Sequence, residues 1–470
     1  MSDYNFLMES RFAPEQLRVL NFLSRLAAAQ GLNFYLVGGT VRDLVHGQQL
    51  IRDLDFVAEG NTQRILRHLD DRLPPSRAIG AVRDAADELA SPRVEHVTFD
   101  KHFNAAEVRF DNGVRTEIAA SRNEIYSKPG RAPEMVPAMI FEDLKRRDFS
   151  ANAMAISLHP NSRGLLLDPT NGSADIAQRE FRVLHSRSFL EDPSRIYRLL
   201  RLSLRLDFKP EERTRVLLQS ALESRVWEQT DPDKQGRELR AILEEENPAR
   251  VLKMLADRGL LAGLDKKVAS AKFSYDRFAK IRVTLRSVPG ADGLLLNFHC
   301  LVEKLGGAER TRLAKKILRD PGLVKAAMNL ERDARAVARL LSGPKAARNS
   351  YVYTLLSGYP QHLLLFLLAY YPQPKIQNRL KSFLFKFPQL RANLPVVELE
   401  AMGMPPGPQF HKIIEQIFAE QLDGKTRTQP QITARLRALS GIKEPVPKPS
   451  KPSAVPAPAH RSKLKSRRKG

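Results

Sequence analysis

Residues 34–57 read FYLVGGTVRDLVHGQQLIRDLDFV, and this stretch decides the fold of the N-terminal part of the chain. A short apolar run predicts a strand that leads into Gly38 and Gly39, where the absence of a Cβ lets a ligand approach the backbone. The chain then enters a helix at Thr40, whose first N–H groups can bind an anion. Arg42 lies slightly deeper and can form a bidentate contact with a phosphate. The segment therefore predicts a phosphate-binding turn.

Two carboxylates follow this turn at the start of the next predicted strand, at Asp53 and Asp55. Residues two apart in a strand point to the same side, so both carboxylates face one way. Hard oxygen ligands of this kind suit Mg²⁺, which keeps further positions for water and substrate phosphate. An isolated Asp-x-Asp pair is common on a solvated strand edge. The combination of an apolar run, two glycines, thirteen residues and then Asp-Leu-Asp-Phe is much rarer and predicts a metal site beside the turn.

A second group of charged residues lies in the stretch EDLKRRDFSANAMAI at residues 142–156. Arg146 and Arg147 are adjacent and project in different directions, so both can contact a polyanion. Asp148 can orient an arginine or a ribose hydroxyl. Taken alone, the segment is better explained as a charged loop that precedes a buried strand.

A third group lies in the stretch EDPSRIYRLLRLSLR at residues 191–205. Asp192 is a good N-cap, and Pro193 suits the first helical turn. Arginines then recur on one face of the predicted helix, at Arg195, Arg198 and Arg201. The ordinary explanation of this pattern is an amphipathic helix with a solvated basic stripe, whose apolar residues face a core.

Taken together, the three segments resemble the polymerase-β-like nucleotidyltransferase superfamily. The strings LVGGTVRD, RDLDF, RRDFSANA and EDPSR resemble one branch of it, the class II tRNA nucleotidyltransferases and bacterial poly(A) polymerases. The specific matches run from about residue 34 to 206, and residues 234–261 are similar in a less specific way. Ser150 and Ala151 depart from the usual Thr and Ile, and the connection at 74–94 is longer than usual.

The resemblance implies a role for each of these residues. Asp53 and Asp55 would bind Mg²⁺ in a two-metal arrangement that activates a 3′ hydroxyl and stabilises the leaving pyrophosphate. Glu117 stands where the family often has Asp, and it is a candidate third catalytic carboxylate. Asp192 and Arg195 would hydrogen-bond the base of CTP or ATP, since a carboxylate accepts from the exocyclic amino group that C and A possess and U lacks. The other implied nucleotide-binding residues are Gly38, Gly39, Thr40, Arg42, Arg146, Arg147, Asp148, Arg198 and Arg201, the last two nearer the phosphates.

Composition favours a polyanionic partner. The chain has 470 residues and a formal net charge of +23, and excess positive charge concentrates nucleic acid around a protein. A ribosome-associated or merely basic surface would carry the same charge, so charge alone leaves these alternatives open. Residues 443–470 hold nine Lys or Arg, one Glu and six Pro, which predicts a disordered basic arm whose simplest role is to aid solubility.

Cysteine content and hydropathy indicate the cellular compartment in which the protein is expected. Cys300 is the single cysteine, which excludes an intrachain disulfide and a Cys-rich zinc site and fits a reducing cytoplasm. The first 30 residues lack the apolar core of a signal peptide. The longest apolar stretch, Tyr359–Tyr371, is too short to span a bilayer and predicts a buried helix. We therefore expect a cytoplasmic protein with no membrane partner, and we infer no stable protein partner.

Periodicity and the resemblance together predict an α+β fold in four regions. These are a nucleotidyltransferase head with a small mixed or antiparallel sheet and an N-terminal helix (1–185), a neck that carries the base-reading helix (186–265), a helical RNA-binding body and tail (266–442) and the basic arm (443–470). Strands are expected at 34–37, 54–57, 94–99, 106–110 and 115–119. Helices are expected at 12–30, 61–73, 193–206, 211–222, 235–244 and 248–258.

The resemblance implies a template-independent enzyme that adds CMP and AMP to the 3′ end of tRNA, either building the whole CCA end or adding only the terminal A. A poly(A) polymerase acting on other RNA 3′ ends shares every motif described above. A catalytically inactive RNA-binding protein on the same fold is the third hypothesis, against which the intact carboxylates and arginines argue.

Overall fold

The computed structural model describes residues 4–48, 51, 54–70, 92–100, 104–126, 133–271 and 273–442. Asp53, most of the connection at 74–94 and the basic arm at 443–470 lie outside the described residues. The chain forms two compact units, the first of residues 1–334 with 361–369 and the second of residues 335–360 with 370–470. The four regions proposed from the sequence remain a prediction.

A seven-stranded mixed sheet organises the N-terminal part of the first unit. Its strands are β1 (Asn33–Val37), β2 (Leu54–Glu59), β3 (Val94–Asp100), β4 (Ala105–Phe110), β5 (Arg115–Ala120), β8 (Ala155–Ser157) and β9 (Leu166–Leu167), in the spatial order β3-β4-β5-β2-β1-β8-β9. A separate hairpin is formed by β6 (Arg122–Ile125) and β7 (Glu134–Pro137), and a short parallel pair by β10 (Glu180–Phe181) and β11 (Lys209–Pro210). Within the large sheet, β2 and β5 are parallel and the other neighbours are antiparallel. The predicted α+β class is confirmed, and each of the five expected strands is present to within two residues.

Among the described residues, six α-helices accompany these strands: α1 (Tyr4–Arg11), α2 (Pro14–Ala29), α3 (Gly39–His46), α4 (Gln63–Asp70), α5 (Ile140–Lys145) and α6 (Gly172–Gln178). The helices expected at 12–30 and 61–73 are confirmed as α2 and α4, whereas α1 was not predicted. Pro14 explains where α2 begins, because proline has no N–H to donate and its fixed φ suits the first helical position.

The central strands are apolar because helices pack on both of their faces. On one face Phe34 stacks on Phe56 with ring centroids 5.0 Å apart, and α2 packs against β1 and β2. On the other face Tyr35 and Val37 pack against Ile140 of α5. The outer strands β4 and β5 instead alternate buried and exposed residues, which leaves polar side chains on one open face of the sheet.

The rest of the first unit is helical. Its elements run through α7 (Ser188–Glu191), α8 (Ser194–Leu206), α9 (Glu212–Glu223), α10 (Pro232–Leu243), α11 (Pro248–Asp257), α12 (Leu261–Leu264), α13 (Lys266–Ser270), α14 (Tyr275–Ser287), α15 (Leu294–Val302), α16 (Gly307–Leu318) and the first part of α17 (Pro321–Ser342). The helices expected at 193–206, 211–222, 235–244 and 248–258 are confirmed as α8 to α11. Ile196 and Leu199 of α8 are fully buried, so the apolar side of this helix faces a core as expected.

The second unit consists of helices throughout its described part. They include the end of α17, α18 (Asn349–Ser357), α20 (Pro374–Lys381), α21 (Phe387–Ala392), α22 (Val396–Ala401), α23 (Pro408–Leu422) and α24 (Gln429–Ser440), whereas α19 (Gln361–Tyr370) belongs to the first unit except for its last residue. Phe410, Ile413, Ile414 and Ile417 of α23 recur at helical spacing and pack into one apolar cluster with Leu436 of α24.

The longest apolar stretch forms α19, whose residues Leu365 and Leu367 are fully buried, so the prediction of a buried helix is confirmed. In the ranges that the structure describes, no helix combines the length and the apolar character needed to cross a membrane.

Close backbone packing at Gly172 generates a prediction about stability. A Cβ added there would lie 2.1 Å from the carbonyl oxygen of Ser150, and backbone cannot move aside as a flexible side chain can. We expect Gly172→Ala to lower the free energy of unfolding of the first unit by about 3 kcal/mol. Urea unfolding followed by the fluorescence of Trp227, the single tryptophan, measures this.

Gly307→Ala is the matched control, because a Cβ at Gly307 meets nothing within 4 Å. Equal stability of the two variants would show that α6 can move away from Ser150 without cost.

Candidate active site

One cavity of about 1360 Å³ in the first unit brings the predicted site residues together. It is lined by every one of them that the structure describes: Gly38, Gly39, Thr40, Arg42, Asp55, Glu117, Arg146, Arg147, Asp148, Asp192, Arg195, Arg198 and Arg201. These residues come from the β1–α3 turn, from β2 and β5, from the segment after α5, and from α8 together with Asp192 just before it. The three segments singled out in the sequence, 34–57, 142–156 and 191–205, therefore line the same cavity.

The glycine turn is shaped by the arginines beside it. Gly38 has a φ of +68°, a conformation that favours glycine, and a Cβ there would lie 3.0 Å from Nη1 of Arg147. A Cβ on Gly39 would lie 3.4 Å from Nη2 of Arg42. The helix begins at Gly39, one residue before the predicted start, and Thr40 accepts a hydrogen bond from the backbone N–H of Asp55 at 3.4 Å. The turn and the carboxylate strand are thus joined directly.

Three carboxylates form a row across the open face of the sheet. Asp55 of β2 is the register partner of Glu117 of β5, which is in turn the partner of Glu107 of β4. Register partners point to the same face, so all three side chains lie on the cavity side. Adjacent like charges repel, and a row of this kind favours the approach of a cation. Asp53, the other predicted carboxylate, lies outside the described residues.

Arg146 and Arg147 are held by a buried carboxylate that the sequence interpretation missed. Asp143 is fully buried, and its two oxygens accept from Nη2 of Arg146 at 2.5 Å and from Nη2 of Arg147 at 2.8 Å. Burial raises the pKa of Asp143, but the two guanidinium groups outweigh this and hold it below its usual value. Glu124 adds a second acceptor for Arg146 at 2.6 Å. The i+3 and i+4 spacing of Asp143 to the arginines was a signal that could have revealed the cluster.

The predicted base-reading pair is also fixed by neighbours. Oδ1 of Asp192 accepts from the N–H and the hydroxyl of Ser194 at 3.1 and 2.6 Å, and Oδ2 accepts from Nζ of Lys234 at 2.8 Å. Arg195 donates to the Ser188 hydroxyl at 2.7 Å and to the carbonyl oxygen of Arg146 at 2.9 Å. Asp192 and Arg195 are 7% and 4% exposed, so this part of α8 does not form a solvated stripe.

Lys234 has a large effect on the charge of Asp192. Burial raises the pKa of this carboxyl, but the ammonium of Lys234, helped by Arg195 and Arg198, outweighs burial and lowers the pKa to about 2. The carboxylate is therefore ionised at neutral pH and can act only as an acceptor. Sequence reasoning missed Lys234 because it lies on α10, 42 residues away.

Alternating charges continue along the far wall of the cavity and close into a ring. The contacts run through Arg42, Asn152, Asp148, Arg198, Glu238, Arg201, Glu245, Arg205 and Asp43, and back to Arg42. We call these nine residues the charge ring. It joins the helix that follows the glycine turn to the segment after α5, to α8 and to α10, so it fixes the mutual positions of the elements that carry the site.

Comparison with known proteins agrees with these observations. The sequence model of a family described as "Poly A polymerase head domain" matches residues 34–182. An A-adding tRNA nucleotidyltransferase of Halalkalibacterium halodurans is 28% identical over 447 residues, which cover 94% of this chain and 96% of that one. These matches support the class II tRNA nucleotidyltransferase family. The chain is accordingly an enzyme of the nucleotidyltransferase class, and the inactive-protein hypothesis is set aside.

Two further proteins named for tRNA-end addition are also similar to this chain. A CC-adding tRNA nucleotidyltransferase of Deinococcus radiodurans is 33% identical over 263 residues, which cover 54% of this chain and 62% of that one. A solved structure of a CCA-adding enzyme in its apo form II has 28% sequence identity and a TM-score of 0.47, with 93% of this chain and 99% of that one covered.

The Asp192–Lys234 ion pair of this nucleotidyltransferase predicts a response to acid. The pKa of Asp192 is about 2 in the folded protein, against about 3.9 for an unfolded aspartate. The ionised Asp192 carboxylate therefore contributes its full stabilisation above a pH of about 4, and this stabilisation is lost as the pH falls through 2. We expect Asp192→Asn to lose about 2–3 kcal/mol less stability than the parent between pH 5 and pH 2, measured by urea unfolding at each pH.

The exposed Asp207 at the end of α8 provides the control, Asp207→Asn, which is expected to follow the parent closely. If the free energy of unfolding changed with pH in the same way for the parent and for Asp192→Asn, Lys234 would not stabilise the ionised carboxylate.

Proposed function

We propose that the enzyme adds AMP from ATP to the 3′ end of tRNA, with CMP addition from CTP where the whole CCA end is built. The single observation that carries this proposal is the meeting of three groups in one cavity: the glycine turn, the carboxylate row and the Asp192–Arg195 pair. The A-adding relative, matched over 96% of its length, supports tRNA as the acceptor and the terminal A as the minimum product. We expect the enzyme to act in the cytoplasm.

Base choice is assigned to Asp192 and Arg195. A carboxylate offers about four acceptor positions, of which the contacts to Ser194 and Lys234 use three. The remaining position can accept from the exocyclic amino group of cytosine or adenine, which uracil lacks. Arg195 has five donors and uses two within the protein, so others can reach a ring nitrogen or carbonyl of the base. Both groups are buried and fixed, which allows side chains to select a base without a nucleic-acid template.

The nucleotide's phosphates are assigned to the glycine turn and the arginines around it. The N–H groups at the start of α3 and the guanidinium groups of Arg42, Arg147 and Arg198 all line the cavity. In this structure these arginines contact Asp43, Asp143 and Asp148, so they are held in place before a ligand arrives. Preorganised donors of this kind stabilise developing negative charge without a reorganisation cost.

Mg²⁺ is the proposed cofactor, bound by Asp53 and Asp55, with Glu117 as the neighbouring carboxylate. The residues fit a hard divalent cation, because Asp55 and Glu117 are register partners on the cavity face and Oδ2 of Asp55 lies 3.9 Å from where a Cβ on Gly38 would stand. Among the described residues no group of three or more carboxylates, histidines or cysteines is placed to hold a metal ion, so the proposal depends on Asp53. When bound, the metal would lower the pKa of the attacking 3′ hydroxyl and stabilise the leaving pyrophosphate.

Poly(A) synthesis is the second candidate, and it is favoured by the net charge of +8 that nine Lys or Arg and one Glu give residues 443–470. Sequence-blind attraction to RNA backbones suits a mixed pool of substrates. The two functions differ in acceptor and in product length, and one assay separates them.

The assay uses tRNA transcripts that end in the discriminator base, in C or in CC, each with Mg²⁺ and labelled ATP or CTP. We expect one AMP to be added to the CC end, after which incorporation stops. Incorporation of label from CTP on the transcripts that end in the discriminator base or in C would show that the enzyme builds the whole CCA end. A ladder from ATP on unrelated RNA would replace tRNA completion by poly(A) synthesis, and absence of incorporation on every substrate would overturn the proposal.

Asp55→Asn tests the role of the carboxylate next to the glycine turn. We expect AMP incorporation to fall on the order of 10³-fold, because several kcal/mol of transition-state stabilisation are lost, while the affinity for tRNA measured by filter binding stays within about twofold. Glu107→Gln is the matched control, since it removes one carboxylate from the same row two strands away. Equal activity of the two variants would remove Asp55 from its proposed role.

A further inference from the structure

Arg205 is the member of the charge ring that is held least closely. Its Nη1 lies 3.7 Å from Glu245 and its Nη2 lies 3.8 Å from Asp43. Each of these carboxylates is contacted more closely by another arginine, Glu245 by Arg201 at 2.7 Å and Asp43 by Arg42 at 2.6 Å. None of the hydrogen bonds within the described part of the chain involves the Arg205 guanidinium. Its five donors therefore remain short of acceptors, although its side chain is only 24% exposed.

The surroundings of Arg205 make an anion favourable there. Burial, and after it the charge of Arg42, lowers the pKa of Arg205 to about 10. Arg201, one helical turn earlier on α8, has a buried Nε that lacks a hydrogen-bond partner within the described residues. Residues four apart on a helix are neighbours, so the positive charge of Arg201 lies close to Arg205. A phosphate oxygen at the partly exposed Arg205 would supply the missing acceptor there and offset the mutual repulsion of the guanidinium groups.

Position along the helix indicates which phosphate would bind. Arg195, Arg198, Arg201 and Arg205 lie on one side of α8 and all line the cavity. Arg195 stands at the base-reading end, and Arg205 stands ten residues later, about 15 Å along the helix axis. At that end Arg205 approaches Asp43, whose partner Arg42 packs against Gly39 of the phosphate-binding turn. A nucleotide with its base at Asp192 and Arg195 would extend its phosphates toward this end.

We propose that Arg205 binds the terminal phosphates of the incoming nucleoside triphosphate, so that it distinguishes a triphosphate from a monophosphate. This inference rests on the proposed function, since it takes the Asp192 and Arg195 end as the seat of the base. Arg198 would contribute less to the same discrimination, because its donors are already engaged by Asp148 and Glu238. Loss of Arg205 leaves Glu245 and Asp43 paired with their closer arginines, so the ring keeps its other contacts.

The test compares Arg205→Gln with the parent by calorimetric titration of ATP and of AMP, each with Mg²⁺, and by filter binding of tRNA that ends in CC. We expect the affinity for ATP to fall about 10–100-fold, the loss of one or two charge-assisted hydrogen bonds, with the affinities for AMP and for tRNA within about twofold of the parent. Arg205→Lys keeps the positive charge but loses the planar set of five donors, and its affinity for ATP is expected to lie between those of the parent and Arg205→Gln. Unfolding followed by Trp227 fluorescence shows whether each variant remains folded.

Arg240→Gln is the matched control, because Arg240 lines the same cavity but is paired with Glu244 at 2.9 Å and contacts the carbonyl oxygen of Leu318. It removes one positive charge from the cavity and is expected to leave the affinity for ATP unchanged. Equal loss of ATP affinity in both variants would show that total charge matters and would overturn the proposal.

Three further results would overturn it. Equal losses for ATP and AMP would mean that Arg205 acts on the base-reading end through the ring, and a loss confined to tRNA would mean that it contacts RNA phosphates. Unchanged affinities in Arg205→Gln would remove it from binding altogether. If the parent enzyme itself bound no ATP and incorporated no AMP, the proposed function would fail first, and that outcome is distinct from a functional parent with an equally functional variant.

Discussion

The guanidinium of Arg198 stands between two buried carboxylates, and the arrangement of the site depends on this contact. Its Nη1 donates to Asp148 at 2.9 Å and its Nη2 donates to Glu238 at 2.8 Å, residues that lie 50 and 40 positions away in the chain. Charges taken out of water cost several kcal/mol each unless they are closely paired. Any displacement of α8 would leave a buried charge unpaired. The contact therefore fixes α8 against both the segment after α5, which carries Asp148, and α10, which carries Glu238.

This constraint favours the proposed base recognition, in which amino-acid side chains take the place of a template strand. Base recognition requires donors and acceptors that keep their positions when the nucleotide is absent. Asp192 is fixed by Ser194 and Lys234, and Arg195 is fixed by Ser188. Since these contacts come from the neighbouring helices as well as from α8, the proposed recognition surface is held in place by the helical core beneath it.

Local patterns in the sequence predicted the five strands and the helices named in the sequence analysis, and they identified thirteen residues of the cavity wall. The glycine turn, the strand at Asp55 and the helix after Asp192 each carry their information within a few residues. The order of the strands was not predictable, because the parallel pairing that sets Asp55 beside Glu117 joins distant segments. Lys234 and Glu238 were missed for the same reason, since only the tertiary structure brings α10 against α8. The arginine pattern alone could not distinguish a solvated stripe from a buried one, because a helical period reveals a face but not what covers it.

The charge ring has a consequence for the effect of ionic strength. Its four arginines are matched by four carboxylates, so the far wall of the cavity is nearly neutral although the chain carries +23 overall. Mobile ions screen exposed charges beyond a Debye length of about 8 Å at physiological concentration but act much less on buried pairs. Rising salt would therefore loosen the attraction of RNA to the basic exterior well before it disturbed the surface that selects the nucleotide. Under the proposed function, binding of the RNA and selection of the nucleotide would therefore depend on electrostatic interactions of two different ranges.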